Sequence, residues 1–274
     1  FGGRFFLKQR PEGHVPNTVT DCEVSRFLLK KGIETGEPVM STNGAYAVIE
    51  GKHVYCAFSF KEGKEYRYSA DNIRKAGEAL AEFHRNTIGY SGSTSFEGDA
   101  FGWSRRMIEG LEGLDGWKER LDNAERTFKE HEPKLLKTLT HWDFHGGNIK
   151  IIEGKVVPFD FEFAHHDYRI LDIANSSICF AAIRSPDYGN AESFIQKCEL
   201  DFGKNRLFLD GYRNITPIND EEAGVFPEAL DVAWIGWISY TLKNRKCGEK
   251  AVENAKYFPE WVERNRERII QECR

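Results

Sequence analysis

A polar segment in the middle of the chain limits the fold more than any other feature of the sequence. Residues 141–148 read HWDFHGGN and lie between short apolar runs, and a further apolar run ends at Asp160. Apolar runs of four to eight residues bounded by turn residues are typical of buried strands. The three runs cover residues 135–139, 149–152 and 156–159. We therefore predict a strand, a polar loop and a hairpin that returns Asp160 to the side of Asn148.

The residue types in this unit suit phosphoryl transfer. That reaction needs a carboxylate near the acceptor hydroxyl, oxygen ligands for a metal ion on the phosphates, and a cation. Asp143 and Asn148 stand five residues apart, which is the interval between the base and the metal-binding Asn of the kinase catalytic loop. Mg²⁺ prefers oxygen ligands. We predict Asp143 as the catalytic carboxylate, and Asn148 with Asp160 as ligands of Mg²⁺.

The two histidines of the segment are less specific than its carboxylate. Asp and Asn alone often do no more than satisfy a turn, but the ordered set with Asp160 favours a catalytic loop. We include His141 in the catalytic set and expect it to hold the loop by hydrogen bonds rather than to transfer protons. The role of His145 stays open.

The pattern of apolar residues changes near residue 63, and a chain of 274 residues exceeds the usual size of a single core. Before this point we predict a strand over 4–9, a helix over 20–31, and strands over 39–40, 45–50 and 53–60. After it we predict mainly helices, over 71–87, 105–112, 115–131, 172–182, 191–212, 228–243 and 261–272. We expect loops at 89–104 and 165–168. The division predicts an N-terminal lobe of residues 1–63 and a C-terminal lobe of residues 64–274, with a cleft between them.

A lysine and a glutamate of the N-terminal lobe complete the pattern. Lys8 ends the first predicted strand, and Glu23 lies in the first turns of the helix that follows. A strand lysine paired with a helix glutamate fixes the ammonium that binds phosphate in kinases. Each residue alone is common on a solvated surface, but Asp143, Asn148 and Asp160 follow in the expected order. We therefore predict that Lys8 and Glu23 bind the nucleotide.

These motifs resemble the aminoglycoside phosphotransferase and choline kinase family, with its homoserine-kinase-type and spore-coat kinase-like relatives. Its catalytic block usually reads His-Gly-Asp-x-His-x-x-Asn, so Trp142 stands where Gly is common. Further matches lie at 6–8, 80–84, 159–162 and 171–174. The resemblance implies an α+β, bilobal, protein-kinase-like fold, with a small antiparallel sheet in the N-lobe and a larger, mainly helical C-lobe. It also implies ATP and Mg²⁺ as cofactors.

The same resemblance implies where the nucleotide binds. It implies an adenine slot against residues 58–63, with a hinge formed by Ser59, Phe60 and Lys61, and it implies that Asp172 braces the catalytic loop. In that family two strands and a phosphate-covering loop precede the first strand seen here. We therefore expect an incomplete N-terminal lobe, either truncated or reduced.

The acceptor is expected to be a small molecule with a hydroxyl group, such as an aminoglycoside, choline or homoserine. Candidate contacts are Glu162, Asp167, Trp234 and Trp237, while Asp231 offers a further carboxylate. An aromatic stripe on a helix is more often core, so the substrate stays open. Only ten residues separate Asp160 from the 171–174 block, too few for a peptide-binding activation segment. The alternative is a non-catalytic kinase-fold protein with a binding or structural role.

Composition excludes other classes of function. A net charge of -5, with basic and acidic residues interleaved, argues against nucleic-acid binding. The sequence contains no apolar run near 18 residues and opens without the charged-then-apolar pattern of a secretion signal. Its six cysteines show no C-x-x-C spacing, and we expect reduced thiols in a cytoplasmic protein. The oligomeric state stays open.

Overall fold

The N-terminal part of the chain forms a four-stranded antiparallel sheet with one helix. A computed structural model describes residues 3–92, 94, 98–183, 195–245 and 247–274. Strand β4 is central, pairing with β1 on one side and with β2 and β3 on the other. The elements are β1 (Phe5–Pro11), α1 (Val15–Lys30), β2 (Pro38–Val39), β3 (Val48–Glu50) and β4 (His53–Ser59).

The C-terminal part is mainly helical, and together the two parts confirm the predicted α+β, bilobal class. Its helices are α2 (Ala70–Asn86), α3 (Ala100–Ile108), α4 (Trp117–His131), α5 (Arg169–Ala181), α6 (Phe202–Ile215), α7 (Asp220–Gly224), α8 (Phe226–Asn244), α9 (Glu249–Arg264) and α10 (Arg266–Cys273). Its strands are β5 (Lys64–Glu65), β6 (Lys137–Thr140), β7 (Ile149–Ile152), β8 (Lys155–Pro158), β9 (His165–Tyr168), β10 (Ala182–Ile183) and β11 (Glu199–Leu200). No helix in the described ranges is long and apolar enough to cross a membrane.

The hairpin of β7 and β8 positions the polar segment as predicted. Ile149 pairs with Pro158, and the backbone N–H of Phe159 donates to the carbonyl of Asn148 at 2.8 Å. This contact holds the residue before Asp160 against Asn148. The predicted return of Asp160 to Asn148 is therefore confirmed.

Several predicted boundaries were wrong, each for a local reason. Residues 165–168, predicted as a loop, form β9 and pair with β6, although their polar side chains gave no strand pattern. Helix α3 begins inside the predicted loop, because Asp99 caps it by accepting from the N–H of Gly102 at 2.8 Å. Pro16 in the first turn starts α1 five residues before the predicted position.

The predicted helices at 191–212 and 261–272 also needed correction. Residues 191–194 lie outside the described residues, and Asp201 caps a helix that begins only at Phe202, after β11. At the C-terminus, α9 begins at Glu249, well before the predicted start, and Pro259 within it obscured the helical pattern. The six cysteines all lie within the described residues, and none of them forms a disulfide.

Helices α2 and α6 cross so closely that each requires a glycine at the contact. A Cβ atom on Gly77 would lie 2.0 Å from the carbonyl oxygen of Phe208, and a Cβ on Gly211 would lie 2.0 Å from that of Arg74. Next to this crossing, Nδ1 of His84 on α2 lies 2.7 Å from the hydroxyl of Tyr212 on α6. The crossing therefore fixes the position of His84.

We expect Gly77→Ala to lower the free energy of unfolding by about 1–3 kcal/mol, because overpacking forces two backbones apart. The matched control is Gly224→Ala at the end of α7, where an added Cβ meets no atom within 4 Å. Urea denaturation of both variants measures the difference. Equal stability of the two variants would contradict the close crossing.

Candidate active site

The polar segment is anchored to α5 by a buried carboxylate. Asp172 accepts hydrogen bonds from the backbone N–H groups of His141 at 2.6 Å and Trp142 at 3.0 Å, and its Oδ2 lies 3.0 Å from Nε2 of His84. Asn175 donates to the carbonyl of Trp142, whose φ of 63° places it in the left-handed region. Burial alone would raise the pKa of Asp172, but the bonds from His84 and the backbone hold it below its usual range. Asp172 therefore braces the loop, as expected.

His141 joins this loop to the end of strand β8. It is fully buried, its Nε2 lies 3.1 Å from the carbonyl oxygen of Phe159, and the N–H of Asp143 points to its Nδ1 at 3.4 Å. A ring that accepts at Nδ1 carries its proton on Nε2 when neutral. Both ring nitrogens therefore serve hydrogen bonds that hold the loop, which favours a holding role over proton transfer.

The structure brings Asp143, Asn148, Asp160 and Lys8 together. The side-chain amide of Asn148 donates to the carboxylate of Asp143 at 2.8 Å and to its carbonyl at 3.0 Å. Nε2 of His145 lies 3.5 Å from the other carboxylate oxygen of Asp143. Asp160 has a φ of 65° and accepts from Nζ of Lys8 at 2.8 Å. Because the amide nitrogen of Asn148 is used on Asp143, its amide oxygen is the atom that suits a metal ion.

The helix carboxylate beside Lys8 is Asp21, and the expected pairing with Glu23 was wrong. Nζ of Lys8 lies 2.5 Å from Asp21, which is 1% exposed and also accepts from the N–H of Phe161 at 3.0 Å. Glu23 lies two positions later and so about 200° around the helix. Burial and the charge of Glu23 raise the pKa of Tyr90 to about 12, which places Glu23 on the side of Tyr90.

Arg10 is a second cation at this site that the sequence reasoning missed. It lies two residues after Lys8 on β1, and alternate residues of a strand share a face. Its guanidinium contacts Glu162 at 2.6 Å, Asp160 at 3.2 Å and Asp21 at 3.4 Å. The period-two spacing of Lys8 and Arg10 was the signal that could have found it.

Burial and the carboxylates of this site shift the pKa values of Lys8 and Glu162. Burial alone would lower the pKa of Lys8, but the charges of Asp21 and Asp160 raise it above its ordinary value. The ammonium group of Lys8 therefore stays charged. Burial and the charge of Asp160 raise the pKa of Glu162 to about 7, despite the nearby Arg10. Glu162 therefore belongs with Asp160 and Arg10 rather than with an acceptor.

A cavity of about 240 Å³ lies between the two parts of the chain. The predicted hinge residues Ser59, Phe60 and Lys61 line it, together with Lys8, Asp21, Asn148 and Asp160. The backbone N–H groups of Ser59 and Phe60 already donate to the carbonyls of Glu37 and Arg4. A base in this cavity would therefore need another group of the hinge as its hydrogen-bond donor.

A second cavity, of about 430 Å³, contains the carboxylate of Asp143. Trp234 and Trp237, the predicted acceptor contacts, line it, and so do Asn175 of α5 and His145 of the loop. The hydrogen bond between Asp143 and Asn148 therefore joins one lining residue of each cavity.

The predicted acids lie elsewhere. Asp167 is buried and accepts from the backbone N–H groups of Ala100 at 2.8 Å and Tyr168 at 2.7 Å, so it fixes the start of α3. Asp231 lies 2.7 Å from Arg120, and burial raises its pKa to about 7. Neither residue lines the second cavity, and neither does Glu162. The three carboxylates are therefore not placed to bind an amine of the acceptor.

Two lobes, with one cavity on each side of a hydrogen-bonded Asp–Asn pair, are the arrangement expected of a small-molecule kinase. Residues 2–192 match the model of the phosphotransferase enzyme family, APH. The match covers more than half of the 274 residues, and the chain belongs to this family.

Individual relatives are distant in sequence. The homoserine kinase of Methylobacillus flagellatus is 26% identical over 246 residues, which cover 86% of this chain and 72% of that protein. Two solved structures share the fold at 16% identity. Amicoumacin kinase, in complex with AMP-PNP, Ca²⁺ and Ami, aligns with a TM-score of 0.72 over 96% of this chain and 83% of its own. The aminoglycoside phosphotransferase of Alicyclobacillus acidocaldarius aligns with a TM-score of 0.62, over 99% of this chain and 86% of its own.

Asp21→Asn is expected to lower the free energy of unfolding by about 3 kcal/mol, because it removes one partner of a buried ion pair. The matched variant Glu23→Gln is expected to lower it by less, because the carboxylate that contacts Lys8 is that of Asp21. Urea denaturation at neutral pH measures both. A larger loss in Glu23→Gln than in Asp21→Asn would restore Glu23 as the partner of Lys8.

Proposed function

We propose that this chain is an ATP- and Mg²⁺-dependent phosphotransferase that acts on a hydroxyl group of a small molecule. The observation that carries the proposal is the position of Asp143 and Asn148 between two cavities. Asn148, Asp160 and Lys8 line the first cavity, and Asp143 lines the second. A donor in the first cavity and an acceptor in the second would meet at this pair.

The donor set fits Mg²⁺ and nucleotide phosphates. Asn148 and Asp160 offer an amide oxygen and a carboxylate, which are the hard ligands that Mg²⁺ takes while keeping water and phosphate oxygens. Mg-ATP, when bound, supplies the phosphoryl group and the ion that neutralises its charge. Lys8 contributes an ammonium that Asp21 holds in place at 2.5 Å. Metal ligands and cation therefore come from opposite lobes.

Asp143 is the residue that acts on the acceptor. The amide of Asn148 fixes its Oδ2, which leaves the carboxylate oriented toward the second cavity. A carboxylate there can orient a hydroxyl group and accept its proton as the bond to phosphorus forms. The hydrogen bonds that the buried Asp172 accepts from His141 and Trp142 would keep the loop in position during the transfer.

The named relatives support a small alcohol as the acceptor without choosing one. The proteins similar to this chain are named for homoserine, amicoumacin and aminoglycosides. Choline also fits the family pattern, and a related metabolite is equally compatible. Six cysteines without a disulfide, all within the described residues, support a cytoplasmic enzyme. A non-catalytic kinase-fold protein is the alternative, and the complete set of catalytic residues argues against it.

We expect Asp143→Asn to reduce acceptor-dependent ADP release by about 10²–10⁴-fold, the usual contribution of a general base. Mg-ATP affinity should stay nearly unchanged in this variant, whereas Asp160→Ala should abolish Mg²⁺-dependent binding. A coupled ADP assay with choline, homoserine, sugars and aminoglycosides measures ADP release. Titration calorimetry measures the binding of Mg-ATP to both variants. Asp220→Asn, an exposed carboxylate on α7, is the matched control.

Two results would contradict this function. If Mg-ATP neither bound nor raised the melting temperature of the wild type, the non-catalytic alternative would replace it. If Asp160→Ala bound Mg-ATP as tightly as the wild type, Asp160 would be removed from the metal site.

A further inference from the structure

A line of buried polar side chains runs from helix α7 toward the catalytic loop. It begins at Glu222, which is fully buried and accepts two hydrogen bonds of 2.7 Å from Nε and Nη2 of Arg169. Arg169 is the first residue of α5, and its Nη2 also donates to the carbonyl of Pro217 at 2.6 Å. A double hydrogen bond between a guanidinium and a carboxylate group fixes their relative orientation. The start of α5 is therefore held by α7.

Tyr212 of α6 is the next side chain of this line. It is fully buried, and the central guanidinium carbon of Arg169 lies 5.9 Å from the centre of its ring. The hydroxyl oxygen of Tyr212 lies 2.7 Å from Nδ1 of His84. Burial raises the pKa of Tyr212 above its ordinary value, so the hydroxyl keeps its proton. A neutral tyrosine hydroxyl can donate this proton in a hydrogen bond.

The protonation of His84 decides the direction of the hydrogen bonds on either side of it. Burial lowers the pKa of His84 below its ordinary value, so the ring is neutral and carries one proton. Nε2 of His84 lies 3.0 Å from Oδ2 of Asp172, which stays ionised because its pKa is held below the usual range. An ionised carboxylate can only accept. The proton of His84 therefore lies on Nε2, and Nδ1 accepts from Tyr212.

The position of this proton matters because Asp172 uses both of its oxygens on the catalytic loop. Oδ2 accepts from the N–H of His141 at 2.6 Å, and Oδ1 accepts from the N–H of Trp142 at 3.0 Å. With its proton on Nδ1, His84 would instead turn a nitrogen lone pair toward the carboxylate and repel it. Which ring nitrogen of a histidine carries the proton is set by the hydrogen bond that the other nitrogen makes. The hydroxyl of Tyr212 therefore helps to set where Asp172 holds the loop.

We propose that Tyr212 is a positioning residue for phosphoryl transfer and acts on the catalytic loop through the proton of His84. The Tyr212 hydroxyl donates to Nδ1 of His84. Nε2 of the same ring then donates to Asp172, which holds the start of the loop that carries Asp143. This inference rests on the proposed function, since it assigns a role in the same reaction to a residue of the helical core.

The first test needs neither nucleotide nor acceptor. Nitrogen-15 NMR of the full chain, with the His84 signals identified by their loss in His84→Gln, should show a neutral ring protonated on Nε2. In Tyr212→Phe the Nδ1–H tautomer should become populated, because Nδ1 has lost this donor. The amide hydrogens of His141 and Trp142 should then exchange with solvent about tenfold faster, since Asp172 holds them less firmly.

Tyr168→Phe is the matched control for the loss of a tyrosine hydroxyl. Tyr168 lies in the same lobe, and its hydroxyl donates to Glu132 at 2.8 Å, just after α4. This variant should leave the tautomer of His84 unchanged. The exchange rates of the same two amide hydrogens should stay within about twofold of the wild type, as expected for independent sites.

Kinetics distinguish positioning from a general loss of stability. With homoserine, choline and kanamycin as acceptors, Tyr212→Phe should lower the kcat of ADP release about tenfold and change the KM for Mg-ATP less than about twofold. His84→Gln is the rescue variant, because an amide nitrogen always donates and can replace Nε2 toward Asp172. In the His84→Gln background, Tyr212→Phe should lower kcat less than about twofold.

The outcomes separate this inference from the proposed function. A proton on Nδ1 of His84 in the wild type would overturn the role of Tyr212, whether or not any variant folds. Unchanged amide exchange in Tyr212→Phe would overturn it too, as would an equal loss of kcat in the wild-type and His84→Gln backgrounds. If no acceptor gave turnover or Mg-ATP did not bind, the proposed function would be wrong, and the NMR result alone would decide whether Tyr212 sets the loop.

Discussion

The buried carboxylate of Asp21 is the contact that joins the N-terminal lobe to the segment that carries Asp160. It holds the ammonium of Lys8 at 2.5 Å and receives the N–H of Phe161 at 3.0 Å, one residue after Asp160. One side chain of α1 thus fixes a cation of the N-terminal sheet against the backbone of the segment that carries Asp160, the proposed metal ligand. Arg10 adds a second positive charge to the same carboxylate. Lys8 and Arg10 each contact both Asp21 and Asp160, so opposite charges are paired in a largely desolvated place.

A second buried carboxylate plays the same part for the catalytic loop. Asp172 receives two backbone N–H groups of the loop and contacts His84, whose position depends on the glycine crossing of α2 and α6. The positions of Asp143 and Asn148 are therefore set from the helical core. The segment that carries Asp160, by contrast, is held from the N-terminal lobe. Phosphoryl transfer needs the catalytic loop and the Asp160 segment in fixed relative positions, because its catalysis depends mostly on positioning and electrostatics.

Much of the site follows from the sequence, because spacing within one segment sets which residues meet. Asp143, Asn148 and Asp160 lie in a loop and hairpin whose lengths are visible in the sequence. The partner of Lys8 was missed for the opposite reason: it lies on another element, and the rotation of α1 decides between Asp21 and Glu23. Periodicity shows that a helix has a buried face but not which polar residue of that face reaches a given strand. Strand β9 was missed because backbone pairing with β6, and not apolar alternation, defines it.

Anomalous scattering from Mn²⁺ offers the most direct measurement of how the two lobes build one site. Crystals grown with Mn²⁺ and a non-hydrolysable ATP analogue should show a metal peak at about 2.0–2.3 Å from the amide oxygen of Asn148 and a carboxylate oxygen of Asp160, the range for small hard cations. Lys8 should remain bound to Asp21 in the same crystals. A metal peak away from Asn148 and Asp160, or a Lys8 that has left Asp21, would contradict a site assembled by these two buried carboxylates.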